Sequence, residues 1–437
     1  MFQVATLFYS CLYTIALLIY GPVRILRSVS QGQSIDILSR LGRLTNTPSR
    51  GDHPTIWLHA VSVGEVNAAR SVIHRLKQLG YQLYVSTTTQ TGQLQARKLF
   101  SNFAQVIYFP FDWKLACRRY LRHIKPDLVV LVETEIWPNF ILTAKDLKIP
   151  VILINGRISD KSFRRYSKAR FLLRPLLSSI SHFCMQSHQD MERIYGMGAP
   201  RERISCTGNL KFDFSARLSP ENQALKEAIS KILKREARDL LLICGSTKPG
   251  EEELLLSAFK NIRPAFPQLR LLLAPRHPHR GDEVTELARS QGFRCLQRSK
   301  DELKLDRSDS VDILVLDSIG ELASIYDLGD LVFIGGSLVP TGGQNVIEAA
   351  ACGKAILFGP HMENFRQVAR TFVEAGAAIQ LSSPSSLEKG LEALIRNPVE
   401  RSVLGQRALE VVQRNRGAAD RTTKVIEANF PKEYTET

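Results

Sequence analysis

Short apolar runs alternate with amphipathic helical stretches along most of the chain. In the first half, these runs have the length of buried strands. They are Ile56–Val61, Leu83–Ser86, Val106–Phe109, Leu128–Val132, Val151–Ile154 and His182–Met185. A helix is predicted after the first run, where apolar side chains share one face and a glycine stands at the end. These residues are Val66, Ala69, Val72, Ile73, Leu76, Leu79 and Gly80. The alternation predicts a parallel sheet with helices on both faces.

The second half repeats this alternation after a polar linker at Ser215–Asn222, in which Ser219 and Pro220 are typical of a helix start. Its strand candidates are Leu240–Cys244, Leu269–Ala274, Asp312–Leu316, Leu331–Ile334 and Ala355–Phe358. Closing helices are expected from about Ser386 to Asn429. The chain is long enough for two α/β domains, an N-terminal one over residues 52–214 and a C-terminal one over 223–437.

The N-terminus forms an uncharged segment from Met1 to Val23, with an almost wholly apolar or aromatic stretch at Leu7–Tyr20. It lacks the basic start and cleavage site of a signal peptide. Since about 20 apolar residues cross a bilayer, residues 1–23 are expected to attach the protein to a membrane, as a single span or as a helix lying in its surface. A helix packed on the domain is the alternative. The basic segment 24–51 follows, and the positive-inside rule places the remaining chain in the cytoplasm.

Charge is the unusual feature of the composition, since 58 basic and 43 acidic residues leave a formal net charge of +15. This balance suits phosphate-bearing ligands, anionic lipid or nucleic acid. No zinc-finger, helix-turn-helix or aromatic RNA-binding motif is present, which disfavours nucleic acid. The seven cysteines are scattered and form no C-x-x-C pair, so we expect reduced thiols and neither a disulfide framework nor a metal site.

The stretch Asp330–Pro360 has the pattern of a strand, a glycine-bearing loop, a helix opening near Asn345 and a second strand. The glycines are Gly335, Gly336, Gly342 and Gly343. Unpaired N–H groups at the helix start predict a seat for an anion, and Glu348 one turn inside is placed to accept from hydroxyl groups. A packing role for the glycines is the alternative. The dinucleotide and P-loop spacings are both absent, which disfavours nicotinamide and nucleoside triphosphate enzymes.

Further polar residues follow the predicted strands, at the edge where ligands of parallel sheets bind. In the first half they are Ser62, Gly64, Glu65, Thr87–Gly92, Glu133, Glu135, Trp137, Asn139 and Lys211. Glu65 has two interpretations, a helix-capping acid or a general base, and by itself the pattern favours the cap. In the second half they are Gly245, Ser246, Thr247, Arg276, His277, His279, Arg280 and Gly320–Leu322. The cationic group among them predicts phosphate or carboxylate binding.

The chain contains, in this order, the motifs HAVSVGEV, TTTQTG, ETEIWPN, GNLKFD, APRHP, GEL and GGSLVPTGGQN. By these motifs it resembles the 3-deoxy-D-manno-octulosonic acid (Kdo) transferases over nearly its whole length. Those enzymes transfer Kdo from CMP-Kdo to a bis-phosphorylated lipid A precursor at the cytoplasmic side of the inner membrane. The resemblance implies the GT-B fold, in which two Rossmann-like, doubly wound domains face a cleft, here with an N-terminal membrane-anchor helix.

The resemblance also assigns site residues. It implies that Glu65 is the catalytic base and that Glu135 and Lys211 stabilise the transition state. The implied CMP-binding residues are Pro275, Arg276, Ile319, Gly320, Glu321, Leu322, Asn345, Val346, Ile347 and Glu348. The chain departs from the family at Gln344, where histidine is usual, and at Val346–Ile347, where Pro-Leu is commoner. Glutamine carries no charge and cannot act as an acid.

The expected reaction is an inverting, metal-independent transfer that needs no cofactor, with CMP-Kdo, the lipid A precursor and the membrane surface as partners and no nucleic acid. A positioned carboxylate takes the proton of the attacking hydroxyl, and cationic groups stabilise the departing phosphate. No D-x-D pair is present in the sequence. Two alternatives stay open at this point: another enzyme on the same fold, such as a nucleotide-sugar epimerase, and a membrane-bound scaffold without activity.

Overall fold

The computed structural model describes residues 6–19, 37–42, 53–213, 220–233, 239–301 and 311–430. The chain forms two units, one of Met1–Asp213 with Arg416–Thr437 and the other of Phe214–Asn415. Each unit contains a seven-stranded sheet in which every strand pair is parallel. The predicted pair of α/β domains is therefore confirmed.

The first sheet has the strand order β3-β2-β1-β4-β5-β6-β7. Its strands are β1 (Thr55–His59), β2 (Gln82–Thr87), β3 (Ala104–Tyr108), β4 (Leu128–Val132), β5 (Val151–Gly156), β6 (His182–Met185) and β7 (Ile204–Cys206). The helices before and between them are α1 (residues 6–19), α2 (Ile37–Arg40), α3 (Val63–Gln78), α4 (Gln90–Phe100), α5 (Lys114–Ile124), α6 (Pro138–Asp146), α7 (Asp160–Tyr166), α8 (Arg170–Leu177) and α9 (His188–Gly196). Short 3₁₀ turns occupy Ser167–Ala169, Arg201–Arg203 and Leu210–Asp213.

The second sheet has the order β10-β11-β9-β8-β12-β13-β14. Its strands are β8 (Leu240–Thr247), β9 (Leu269–Pro275), β10 (Cys295–Gln297), β11 (Ile313–Val315), β12 (Leu331–Ile334), β13 (Ala355–Phe358) and β14 (Ile379–Gln380). Its helices are α10 (Pro220–Leu233), α11 (Glu251–Ile262), α12 (Gly281–Ser290), α13 (Leu322–Ile325), α14 (Ile347–Ala351), α15 (Arg366–Glu374), α16 (Leu387–Arg396) and α17 (Pro398–Asn415). Short 3₁₀ turns lie at Pro278–Arg280, Tyr326–Leu328, Glu363–Phe365 and Pro384–Ser386.

The apolar runs became strands because both faces of each sheet are covered. Every residue of β1 and β4 is buried, which is the pattern of a central parallel strand. Alternate side chains enter two separate cores, so that Leu58 packs with the α3 face while Trp57 packs with α5 and α6. The predicted α3 face is confirmed except at Leu79, which caps the helix and is exposed.

Three strands, β7, β10 and β14, have no counterpart among the predictions. They contain only three, three and two residues, too few for a period-2 pattern to identify. Each is paired with a longer neighbour, so tertiary pairing decides its conformation. Pro220 begins a helix as expected, whereas the linker residues Ser215–Ser219 lie outside the described residues.

The last helix, α18 (Ala418–Ala428), belongs to the first unit. The prediction that all closing helices belong to the second domain is therefore wrong for this element. Ala418, Ala419 and Ile426 are buried in the core beside α3. The carboxylate of Asp213 accepts hydrogen bonds from the backbone N–H groups of Gly417, at 2.6 Å, and Ala419. The start of α18 is thus tied to the point where the chain leaves the first unit.

The N-terminal helix α1 lies on the first unit with its polar side inward. The hydroxyl of Tyr9 donates to the Asp112 carboxylate (3.0 Å), and the indole N–H of Trp113 donates to Thr14 (3.0 Å). The outward side is apolar and exposed, through Leu7, Phe8, Leu12, Ile15, Leu18 and Ile19. Among the described residues, no helix combines the length and the hydropathy that crossing a bilayer requires. The predicted basic segment 24–51 is described only at residues 37–42.

We predict that Asp213→Ala loosens α18, because two backbone N–H groups lose their acceptor. The expected loss of stability is about 1 kcal/mol, as for other helix caps, or about 2–4 °C in the melting temperature for a unit of this size. Asp213→Asn keeps an acceptor oxygen and should lose less. Calorimetry and limited proteolysis at the C-terminus measure both effects. Equal melting temperatures for Asp213→Ala and the unmodified protein would contradict the capping role.

Candidate active site

Glu65 lies in the first turn of α3, directly after the carboxyl end of β1. It is 8% exposed. One carboxylate oxygen accepts from the backbone N–H of Val61 at 2.6 Å, and the other accepts from the Ser62 hydroxyl at 3.1 Å. These two hydrogen bonds support the interpretation of Glu65 as an acid that stabilises the helix start. They also hold the carboxylate at the carboxyl edge of the sheet, and its role as a general base stays a prediction.

The loop that carries Glu65 rests on the next loop of the sheet. Thr89 caps α4 by accepting from the N–H of Gly92 (3.1 Å), and its hydroxyl donates to the carbonyl of Val61 (3.2 Å). A Cβ on Gly92 would lie 2.8 Å from the Thr89 hydroxyl and 3.2 Å from that carbonyl, so a larger residue would displace the Thr89 side chain. The hydroxyl-rich segment Thr87–Gly92 thus supports the Glu65 loop.

The carboxylates of Glu65, Glu133 and Glu135 interact through their charges at this edge of the sheet. Burial, followed by the charges of Glu133 and Glu135, raises the pKa of Glu65 to about 8, against the opposing hydrogen bonds from Val61 and Ser62. Burial and the charge of Glu133 also raise the pKa of Glu135. Glu133 has a φ of 60°, in the left-handed region, which costs about 1 kcal/mol or more for a residue with a side chain. The sequence motifs thus bring Glu65 and Glu135 into one site with a titratable proton near neutral pH.

Lys211 lies in the 3₁₀ turn Leu210–Asp213, which packs against α3. Asn155 positions this turn from the end of β5, because its side-chain oxygen accepts from the N–H of Leu210 at 3.0 Å. Asn155 also has a positive φ of 54°. The turn with Lys211 therefore belongs to the same unit as Glu65 and packs against α3, the helix that carries Glu65.

The glycine loop of the second unit is held by a carboxylate of the protein itself. Glu251, fully buried in the first turn of α11, accepts from the backbone N–H groups of Gly336 (2.5 Å), Ser337 (2.8 Å) and Leu338 (2.8 Å). It also accepts from the N–H of Lys248 at 2.9 Å. These loop amides are therefore occupied by the protein itself. The anion seat predicted at the start of the following helix is a different set of N–H groups and stays a prediction. The acidic first turn of α11 was the sequence signal that could have identified Glu251.

The helix after the glycine loop, α14, begins at Ile347, close to the predicted start at Asn345, and has five residues. The N–H of Ile347 donates to the side-chain oxygen of Asn345 at 3.1 Å, and the amide of Asn345 donates to Glu348 at 3.2 Å. Burial raises the pKa of Glu348, while the Asn345 bond and the charge of Arg276 lower it. Arg276, Asn345 and Glu348 therefore form one polar group at the carboxyl edge of the second sheet.

The other implied nucleotide-binding residues differ in how exposed they are to solvent. Pro275, Val346 and Ile347 are buried, and Val346 and Ile347 are 0% exposed. Ile319 and Gly320 are exposed, with Ile319 at 77%. In the same loop Leu322 is half-buried, and Glu321 accepts from Arg298 at 3.4 Å. The amide nitrogen of Gln344 lies 3.3 Å from where a Cβ on Gly336 would be, so Gln344 packs beneath the glycine loop.

The predicted cationic group after β9 is only partly available to a ligand. Arg280 is 8% exposed and is paired with Glu252 at 2.8 Å and Glu283 at 2.6 Å. Arg276, by contrast, is exposed at the sheet edge. Within the described part of the chain, no group of three or more histidine, cysteine, aspartate or glutamate side chains is arranged to hold a metal ion. All seven cysteines are free thiols, and Cys11 is the exposed one among these described positions.

Comparison with known proteins gives a consistent result. A family model for "3-Deoxy-D-manno-octulosonic-acid transferase (kdotransferase)" matches residues 36–214. The 3-deoxy-D-manno-octulosonic acid transferase of Haemophilus influenzae is 33% identical over 375 residues, which cover 85% of this chain and 86% of that protein. The corresponding transferase of Bordetella pertussis is 30% identical over 381 residues, with 85% and 86% covered.

Among solved structures, the UDP-GlcNAc 2-epimerase of Neisseria meningitidis bound to UDP-GlcNAc is similar with a TM-score of 0.58. The match covers 86% of this chain and 100% of the epimerase chain, at 14% sequence identity. At this level of identity the similarity concerns the fold, which supports the expected pair of Rossmann-like domains of the GT-B type.

We predict that the Glu65 carboxyl titrates near pH 8, and that Glu133→Gln and Glu135→Gln each shift its midpoint to lower pH. Removing a neighbouring negative charge makes ionisation of Glu65 easier, which fixes the sign of the shift. Isotope-edited infrared titration of the glutamate carboxyls measures the midpoint. Glu202→Gln, at an exposed position of the same unit, is the control. An unchanged Glu65 midpoint in both variants would contradict this coupling.

Proposed function

The chain belongs to the Kdo transferase family of lipopolysaccharide biosynthesis and is a glycosyltransferase, and from this premise we propose that it transfers Kdo from CMP-Kdo to a lipid A precursor. We propose further that the transfer inverts the anomeric configuration in one displacement and that Glu65 is the general base. The acceptor in this proposal is a bis-phosphorylated glucosamine disaccharide lipid.

The observation that carries the proposal is the fixed, buried Glu65 carboxylate with a pKa of about 8. A general base works best when its pKa lies near the working pH, because it then both exists as the base and has affinity for the proton. Glu65 takes the proton of the acceptor hydroxyl as this oxygen attacks the anomeric carbon. Glu135 and Lys211 contribute to the charge balance as the sugar departs from CMP.

The second unit supports the donor half of the proposal. Glu348 offers a carboxylate for the ribose hydroxyls, and Asn345 orients it. Arg276 presents a guanidinium fork to the phosphate, which remains negatively charged when CMP leaves. The leaving group therefore needs stabilisation of its charge but no proton from the protein.

The transfer is tested by incubating the purified protein with CMP-Kdo and a tetra-acylated lipid A precursor. Mass spectrometry of the lipid counts the sugars added. Glu65→Gln should lower the turnover by about 10²–10⁴-fold, because it removes the base, whereas Glu202→Gln should retain it. No mass increase with the unmodified protein, under conditions in which a reference enzyme is active, would refute the proposal. Full activity of Glu65→Gln would remove Glu65 from it.

We also propose that the protein lies at the cytoplasmic face of the inner membrane, attached by the outward side of α1. This side presents six large apolar side chains to solvent, although soluble proteins normally bury such a stripe. Nearby, α7 and α8 carry an exposed cationic set, and α8 packs on α6, the helix whose Asn139 meets α1. The set consists of Lys161, Arg164, Arg165, Arg170 and Arg174, together with Lys168 in the 3₁₀ turn between the two helices. Apolar insertion and attraction to anionic headgroups therefore act on the same unit.

Membrane attachment is tested by cosedimentation with vesicles that contain phosphatidylglycerol. Replacing Phe8, Leu12 and Ile15 together by glutamate should release the protein, since burying each of these side chains contributes about 1.5–3 kcal/mol. Leu94→Glu, at a 61% exposed leucine of α4, is the matched control and should still sediment. Raising the salt concentration should weaken binding in part, through the basic set. Undiminished sedimentation of the triple variant would show that α1 is not the attachment site.

A further inference from the structure

Lys248 and His277 face each other at the carboxyl edge of the second sheet. The lysine Nζ lies 3.0 Å from Nε2 of the imidazole. Parallel pairing of β8 with β9 produces this contact, because Thr247 is in register with Pro275 and the N–H of Arg276 donates to the Thr247 carbonyl at 2.9 Å. An ammonium group has only donors, so Nε2 of His277 is the acceptor and carries no proton. The two side chains form a defined pair rather than two separate surface groups.

The pair holds positive charge that the protein does not neutralise. Arg280 is matched by Glu252 and Glu283, and Arg298 is matched by Glu321. For Lys248, in contrast, no carboxylate of the described residues lies within 4.0 Å. The nearby loop amides cannot bind an anion either, because Glu251 occupies them. An anion next to the glycine loop would therefore bind to side chains rather than to the amides of Gly336, Ser337 and Leu338.

The position of the pair relates it to the nucleotide-binding group. In the sheet order, β8 lies between β9, which leads to Arg276, and β12, which leads towards Asn345 and Glu348. Lys248 follows this central strand, so it stands at the edge between the two sets. Partial desolvation lowers the pKa of His277, and the neighbouring charges of Lys248 and Arg276 lower it further. An incoming anion would reverse this effect, and it would let the imidazole become a donor.

The proposed donor contains two anionic groups, a phosphodiester and the carboxylate of the sugar, whereas Arg276 is a single cation. Resting on that proposed function, we propose that Lys248 and His277 form a second anion site that receives the donor's sugar carboxylate, with Arg276 serving the phosphate. On binding, a carboxylate oxygen replaces the imidazole nitrogen as the acceptor for Lys248. The pair would thereby select a donor sugar that carries an acid next to its anomeric carbon.

The test compares two ligands that differ by the acidic sugar. For Lys248→Met and, separately, for His277→Ala, we measure the KM for CMP-Kdo in the transfer assay and the inhibition constant of CMP. Loss of a charged hydrogen bond should raise the KM by roughly 10- to 100-fold for Lys248→Met, with a smaller rise for His277→Ala. The inhibition constant of CMP should stay unchanged in both variants. Lys260→Met, at an exposed lysine near the other end of α11, is the matched control.

Each other outcome overturns the assignment. Equal weakening of CMP and CMP-Kdo would mean that the pair binds the phosphate. Unchanged constants in Lys248→Met, with the unmodified protein active, would mean that the pair binds no donor anion. Failure of the unmodified protein to transfer sugar would refute the proposed function instead, which keeps the two results distinct. Circular dichroism and CMP binding by calorimetry confirm that each variant is folded.

Discussion

The parallel hydrogen-bond ladder is the constraint on which both units depend. Parallel strands all point the same way, so their carboxyl ends, and the loops that follow, meet at one edge of each sheet. Pairing of β1 with β4 brings the loop of Glu65 next to the loop of Glu133 and Glu135. Pairing of β8 with β9 sets Lys248 beside His277. Residues far apart in the sequence become neighbours because the ladder fixes the register of the strands that carry them.

Buried carboxylates then fix the loops at these edges. Glu251 accepts from four backbone N–H groups, and Asp112 accepts from the N–H groups of Asn139 and Phe140 at the start of α6. An ionised carboxylate is costly to bury unless hydrogen bonds replace its water. The same bonds satisfy amides that would otherwise have no partner at a loop or a helix start. Loop shape at each edge is thereby set before a ligand arrives, which is the condition for electrostatic catalysis.

The N-terminal helix shows how tertiary contacts can reverse the usual orientation of an amphipathic element. Its polar side chains, Tyr9, Ser10 and Thr14, reach Asp112, Asn139 and Trp113 in the first unit. Its apolar side faces outward. Under the proposed membrane attachment, lipid covers this side in place of another protein surface. Binding through the polar side keeps the helix on the domain, so the domain and its acidic site would be held close to any surface that α1 enters.

The sequence by itself determined the two parallel α/β units, most strand positions and the motifs that carry Glu65, Glu135, Arg276 and Glu348, because burial on both faces and turn chemistry leave local patterns. The tertiary structure alone decided the short strands β7, β10 and β14 and the return of α18 to the first unit. It also decided that the carboxylate of Glu251 binds the amides of the glycine loop. These features depend on partners distant in the chain, whose hydrogen bonds and packing no local periodicity records.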